Sequence, residues 1–236
     1  MSHHFVRYNA VGYRYNDGTE ALRNVSFEIT HGERVALLGL NGSGKSTLLL
    51  LTDALLYPTS GEVNVGGIPV GKKTAESIRR SVGFVFQNPD DMLFMPTIYD
   101  DVAFGPRNMK LPEEEVGRRV EEALTAVGLY ALRDKASYQL SGGQRRSAAI
   151  ASVLSMGPDI LLLDEPSANL DARARRKLID LLKGFHHTII LATHDFEMAR
   201  ELCGRAVILS GGEVAADGKT EEIFADKIIL EKTGLL

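Results

Sequence analysis

The apolar positions of this chain follow different rhythms in different stretches. From Phe5 to Ile29 apolar and polar residues alternate, as in antiparallel strands with one buried face, and Asn16-Asp17-Gly18 supplies a turn between two of them. From Arg34 onward, short apolar runs at 34–38, 82–86, 160–164, 188–192 and 205–209 are separated by helical or turn segments, the pattern of buried strands in a mainly parallel sheet. Between Gln87 and Ser141 the rhythm changes. Pro112 opens a predicted helix in which Val116, Val120, Ala123, Leu124 and Val127 recur at helical spacing until Gly128 stops it. Residues 89–158 are therefore expected to form a helical lobe within a single domain spanning 1–236, since no internal repeat or low-complexity linker marks another.

The strand at 34–38 runs into Gly39-Leu40-Asn41-Gly42-Ser43-Gly44-Lys45-Ser46-Thr47, the glycine-rich pattern of a phosphate-binding loop in the strand-loop-helix context that the motif requires. Glycines at 39, 42 and 44 let successive N–H groups point inward, and the helix starting near Lys45 adds its positive dipole end. Lys45 would reach the outer phosphates of a nucleotide and the Ser46 hydroxyl would bind Mg²⁺, while Thr47 packs within the helix. A second strand, Ile160-Leu161-Leu162-Leu163, ends in Asp164-Glu165-Pro166. Asp164 suits the cation, and Glu165 is placed to polarise the water that attacks the γ-phosphorus. A third element, Leu140-Ser141-Gly142-Gly143-Gln144, opens a helix predicted to run to about Met156 and makes another helix start able to hold phosphate. One nucleotide needs one such cradle, so a second implies two copies facing each other.

In this order and spacing the motifs resemble the ATP-binding cassette family, over nearly the whole chain. The resemblance implies an α/β fold: a phosphate-loop NTPase core with a mainly parallel sheet, an N-terminal antiparallel β-subdomain and an inserted α-helical signature subdomain. It also implies an ATPase using ATP and Mg²⁺. By the same resemblance Tyr15, or Tyr13 in its place, stacks on adenine; Gln87 senses Mg²⁺ and a membrane partner; Asp171, in Ser167-Ala168-Asn169-Leu170-Asp171, communicates between two sites; and His194, after Thr188-Ile189-Ile190-Leu191-Ala192, contacts the γ-phosphate. Asn41 and Ser43 in the phosphate loop, and Ser141, Gly142, Gly143 and Gln144 in the signature, complete the nucleotide contacts.

The stretch from Gln87 to Pro106 is similar to that of energy-coupling-factor importers of the cobalt and nickel type. That likeness implies a homodimer, or a heterodimer with a paralogue, at the cytoplasmic face of the membrane, with a transmembrane coupling subunit and a substrate-binding membrane component. Met92, Leu93, Phe94 and Met95 are unusually apolar for a turn; Met92 and Met95 are the better candidates for contact with the partner, while Leu93 and Phe94 would equally well pack the lobe's own core. Met92 stands where relatives often have glutamine, Ser147 where many have arginine, and the chain stops soon after Ile223-Phe224 without a longer extension, so dimer contacts are expected to depend on ATP. Alternatives are the same role in a vitamin (for example biotin) importer, or a non-transport cassette such as a cluster-assembly ATPase.

Composition sharpens this picture by exclusion. At 236 residues and 44% hydrophobic content the chain can bury a substantial core, yet no apolar run reaches the roughly 18 residues of a membrane span. The N-terminus, with His3 and His4, is unlike a signal peptide, and the lone Cys203 excludes an internal disulfide. A net charge of -4 and the absence of a basic run interleaved with aromatics argue against nucleic acid as a partner. His186 and His187 are adjacent in a predicted turn, so they are expected to be solvated rather than to bind metal.

Overall fold

The computed structural model describes residues 5–168 and 170–236; His3, His4 and Asn169 lie outside them. Among the described residues the chain runs through β1 (Val6–Arg14), β2 (Glu20–Ile29), β3 (Arg34–Leu38), α1 (Lys45–Thr52), β4 (Ser60–Val65), β5 (Ile68–Pro69), α2 (Ala75–Arg79) and β6 (Val82–Val85). It continues through α3 (Ile98–Asn108), α4 (Glu113–Ala126), α5 (Gly142–Leu154), β7 (Ile160–Asp164), α6 (Ala172–Lys183), β8 (Thr188–Ala192) and α7 (Phe196–Leu202). The last elements are β9 (Arg205–Ser210), β10 (Glu213–Lys219), α8 (Thr220–Ala225) and α9 (Lys227–Lys232). The contacts group these into two units, one of residues 1–82, 159–164 and 186–236, the other of residues 83–158 and 165–185.

In the first unit β2, β1, β4 and β5 form an antiparallel sheet in that order. The turn between β1 and β2 closes as the sequence predicts: Asp17 accepts from the Thr19 N–H at 2.9 Å and Gly18 takes a φ of 90°. The alternation of β1 and β2 is broken by bulges between Tyr8 and Arg14, where the register to β2 shifts. A second sheet in the same unit carries β10, β9, β3, β8 and β7 side by side. Here β3 pairs in parallel with both β8 and β9, and β7 with β8, so the apolar runs are buried on both faces. The edge strand β10 runs antiparallel and half-exposed, its Glu-Val-Ala-Ala-Asp-Gly-Lys sequence having no apolar run to announce it.

The second unit is helical beyond β6. Val116, Val120, Ala123 and Leu124 of α4 are buried as their spacing predicts, and they share a core with Ile98 and Val102 of α3 and Ala148 and Ala151 of α5. Glu113, Glu114 and Glu115 in its first turn suit the dipole of α4, and Gly128, with a φ of 71°, ends it. The signature helix stops at Leu154, short of Met156, because Gly157 turns the chain with a φ of 67°. Besides the 89–158 lobe, this unit includes residues 83–88 and 165–185, the latter holding α6.

At the end of α1, burial pushes the Asp53 carboxyl up from 3.8 to about 7, against the partial relief of Arg79. The native state therefore retains a proton that the unfolded chain has lost, and stability falls as pH rises from about 4 to about 7. Asp53→Asn is expected to match the parent at pH 4 and to exceed it by about 1–3 kcal/mol at pH 8 in denaturant unfolding.

Candidate functional site

The parallel register fixes where the chemistry gathers in the first unit. Ala192 of β8 lies opposite Leu37 of β3 on one side and Asp164 of β7 on the other. Strands about 4.8 Å apart therefore place the start of the phosphate loop, the His194 turn and Asp164 at neighbouring strand ends on one edge of the sheet. Each of these segments is short.

The phosphate loop leaves β3 at Gly39, whose φ of 151° and tight surroundings exclude a side chain. A Cβ there would stand 2.3 Å from the Leu209 carbonyl oxygen and 2.5 Å from the Ser43 hydroxyl. Gly42 and Gly44 take φ values of 79° and 106°, and Asn41 and Gly42 are exposed at the tip. The Ser43 N–H donates to the Leu40 carbonyl at 3.1 Å, and the buried Lys45 ammonium donates to the carbonyls of Gly39 and Leu40 at 2.7 and 3.1 Å. Gly44 gives α1 no side-chain cap, so the first-turn N–H groups of that helix have no side-chain acceptor at this position. The Ser43 hydroxyl is buried without a hydrogen-bond partner among the described residues. An anion in the loop would satisfy both.

Ser46 and Thr47, adjacent in the sequence, part company in the fold. Ser46 is exposed on the first turn of α1, while Thr47 is buried with its hydroxyl 3.0 Å from that of Tyr15. Tyr15 in turn meets Tyr13 edge-on at 4.9 Å, so both aromatics proposed for adenine stand together beside the helix that follows the loop. Ser46 and Asp164 are oxygen donors at the same sheet edge, a set that suits Mg²⁺ held mainly through phosphate. Among the described residues no three His, Cys, Asp or Glu side chains converge to make an all-protein metal site. His186 and His187 are exposed ahead of β8, with the His187 ring 6.3 Å from that of His31.

Glu165 follows Asp164 and is nearly buried, 6% exposed, with a left-handed φ of 47°. Such a backbone costs a non-glycine residue about 1–3 kcal/mol and is kept only where the surroundings impose it. His194 is exposed, between the buried Thr193 and Asp195, which caps α7 by accepting from the Met198 N–H at 3.0 Å.

In the second unit Ser141 caps α5. Its hydroxyl accepts from the Gln144 N–H at 3.3 Å and the Gln144 side chain accepts from the Ser141 N–H at 2.9 Å. Gln144 thus stabilises the helix start through its side-chain oxygen. Gly142 and Gly143 have no side chains to shield that start, and Gly143 backs onto Leu170 and Ala174, which sets the signature beside the turn of Asp171. Asp171 itself caps α6, accepting from the Ala174 N–H at 2.7 Å. Gln87 is exposed just after β6, and the buried Arg146 of α5 donates to the carbonyls of Phe86 and Gln87. This arginine is not evident from motif spacing; a charge among the alanines of α5 was the only signal.

The turn after Gln87 is held by another residue outside the motifs. The Asp101 carboxylate is buried and accepts from the N–H groups of Phe94 and Met95, both at 2.9 Å; burial raises its pKa while those bonds lower it. Leu93 points into the helical core. Phe94 is 63% exposed and stacks edge-on against the exposed Phe104 at 5.0 Å, whereas Met92 is half-buried with its sulfur accepting from the Phe86 N–H. The preference for Met92 and Met95 is thus revised: Phe94 is the exposed apolar side chain of this turn.

A family model described as ABC transporter matches residues 22–168. The chain belongs to the ABC transporter family. It is an ATP-binding, ATP-hydrolysing cassette of that family. Over 230 residues it is 54% identical to an ABC transporter ATP-binding protein of Geobacter sulfurreducens, covering 98% of this chain and 92% of that one. It is 43% identical over 228 residues to the energy-coupling factor transporter ATP-binding protein EcfA of Methanocaldococcus jannaschii, covering 94% and 82%. Among solved structures, CbiO1 from Clostridium perfringens, described as part of the ABC transporter complex CbiONQ, superposes with a TM-score of 0.85 at 40% identity and 98% and 94% coverage. A dimeric ATP-binding cassette in a post-hydrolysis state with ADP and Pi gives 0.83 at 34% identity and 91% and 98% coverage. No helix among the described residues is long and apolar enough to cross a membrane.

Gly39→Ala would drive a methyl group into backbone on β9, which cannot move as a side chain can. The variant is expected to lose more than about 2 kcal/mol of stability and to bind ATP weakly, as thermal unfolding and nucleotide titration would report.

Proposed function

We propose that this cassette energises an importer of the energy-coupling-factor type, seated on the cytoplasmic face of the membrane, with cobalt as its first candidate cargo. The observation that carries this reading is the exposed Phe94–Phe104 pair, in the stretch following Gln87 that resembles cobalt and nickel importers. An exposed aromatic pair whose Phe94 backbone is held by a buried carboxylate is an ordered apolar surface, which suits docking of a membrane subunit. The likeness to EcfA and to CbiO1 supports the same reading.

In the proposed mechanism two copies close on two ATP molecules. The loop from Gly39 to Ser46 binds the phosphates of each, and Lys45 exchanges the Gly39 and Leu40 carbonyls for phosphate oxygens. Ser141 and Gly143 of the second copy present their helix start to the same nucleotide. Glu165 takes up proton density from the attacking water. His194 and Gln87 contact the γ-phosphate side, Tyr15 the base, and Asp171 the facing copy. Mg²⁺, held by Ser46 and Asp164 with Gln87, would neutralise charge on the phosphates. Loss of phosphate removes the charge that both faces hold, and the pair opens.

Glu165→Gln is expected to lower ATP turnover about 10²–10⁴-fold with nucleotide binding retained. An unchanged steady-state rate would remove Glu165 from the water-activating role. Affinity capture from native membranes, followed by mass spectrometry, should recover a helical transmembrane subunit, and Phe94→Asp should abolish that recovery while leaving ATP binding intact. Recovery of soluble partners alone would favour the non-transport cassette.

A further inference from the structure

The elements after β10 touch the nucleotide-binding side of the first unit at two separate places. At one end, Phe224 of α8 stacks on Phe196, the first residue of α7, at 4.8 Å, and Arg200 of α7 lies 5.3 Å over the Phe224 ring while pairing with Glu221 at 3.3 Å. Helix α7 begins immediately after His194 and Asp195, so α8 grips the element that carries the His194 turn. At the other end, the turn that closes α9 meets the phosphate loop. A Cβ built on Gly234 would stand 3.0 Å from Cδ1 of Leu40, so the glycine backbone lies directly against that side chain.

The piece between these contacts is stiff. Asp226 ends α8 and caps α9, accepting from the Ile229 N–H at 3.1 Å, so no linker separates the two helices. Leu230 and Thr233 are buried, and the Thr233 hydroxyl donates to the Ile229 carbonyl at 2.7 Å. Gly234 takes a φ of 72°, which returns the Leu235 N–H to the Leu230 carbonyl at 2.8 Å and presents the Gly234 backbone to Leu40. Leu40 is more than a surface contact, because its own carbonyl accepts from both the Ser43 N–H and the Lys45 ammonium. The orientation of that peptide sets where Lys45 waits before phosphate arrives.

We propose that α8 and α9 act as a strut that fixes the His194 turn relative to the phosphate loop, with Phe224 and Leu40 as positioning residues for nucleotide binding. Neither touches the reacting atoms; each acts by holding a segment that does. This inference rests on the phosphate-loop reading given above.

The test is a double-mutant cycle with a fluorescent ATP analogue, alongside thermal unfolding without nucleotide. Phe224→Ala and Leu40→Ala are each expected to weaken binding about 3–10-fold, Phe224→Tyr to restore it, and the double variant to bind no more weakly than the worse single one. A binding constant unchanged by Phe224→Ala, whatever happens to the unfolding temperature, would overturn the strut, as would losses that multiply in the double variant. If Phe224→Ala does not fold, Phe224→Leu is read in the same way. Failure of the unmutated protein to bind the analogue would instead overturn the phosphate-loop reading itself.

Discussion

The parallel pairing of β3, β8 and β7 is the constraint on which the candidate nucleotide site of the first unit depends. Parallel strands end on the same edge, and the pairing of Leu37 and Asp164 with the same Ala192 leaves no freedom in which residues emerge together. The buried runs that make these strands stable also deny the site any alternative register, since slipping by one residue would exchange the positions at which loop, carboxylate and histidine leave the sheet. Gly39 follows from this constraint. A loop that turns back from β3 at once must pass against the end of β9, and only a residue without a side chain fits there.

Helix starts divide the polar residues into two groups with different duties. Thr97, Ser141, Asp171 and Asp195 each accept an N–H of the helix they begin. Gly44 does not, which leaves the start of α1 to whatever anion enters the loop. The pairing of Ser141 with Gln144 shows that a signature glutamine can serve its own helix. Buried charges do comparable work away from the motifs: Arg146 holds the backbone at Gln87 and Asp101 holds that at Phe94, so the residues facing solvent rest on groups that never reach the surface.

Much of this is legible in the sequence itself. The strand runs at 34–38, 160–164 and 188–192 emerge at their expected places because continuous apolar segments bounded by glycine and polar residues have few other solutions. The stripe of α4 is equally plain. Strand β10 and the hairpin of β4 and β5 are not, because these strands are half-exposed or short and their sequences carry weak alternation. The fate of Met92, Leu93 and Phe94 was also hidden. Three apolar residues in a turn have similar transfer free energies, so composition does not say which faces outward; in the fold Leu93 is buried, Phe94 is exposed, and Asp101 accepts from the backbone N–H groups of 94 and 95.

What the sequence determined by itself was the chemistry: a glycine-rich loop after a buried strand, an acidic pair ending another, a capped serine-glycine start to a helix, and with them the family. These are local properties, fixed by backbone conformations that few residue types allow. The tertiary structure decided which residues are exposed and which are taken up in holding others, burying Leu93 while leaving Phe94 exposed and setting Gly234 against Leu40. The physical reason is that burial and contact belong to pairs of residues far apart in the chain, brought together by strand order and register, which no local pattern encodes.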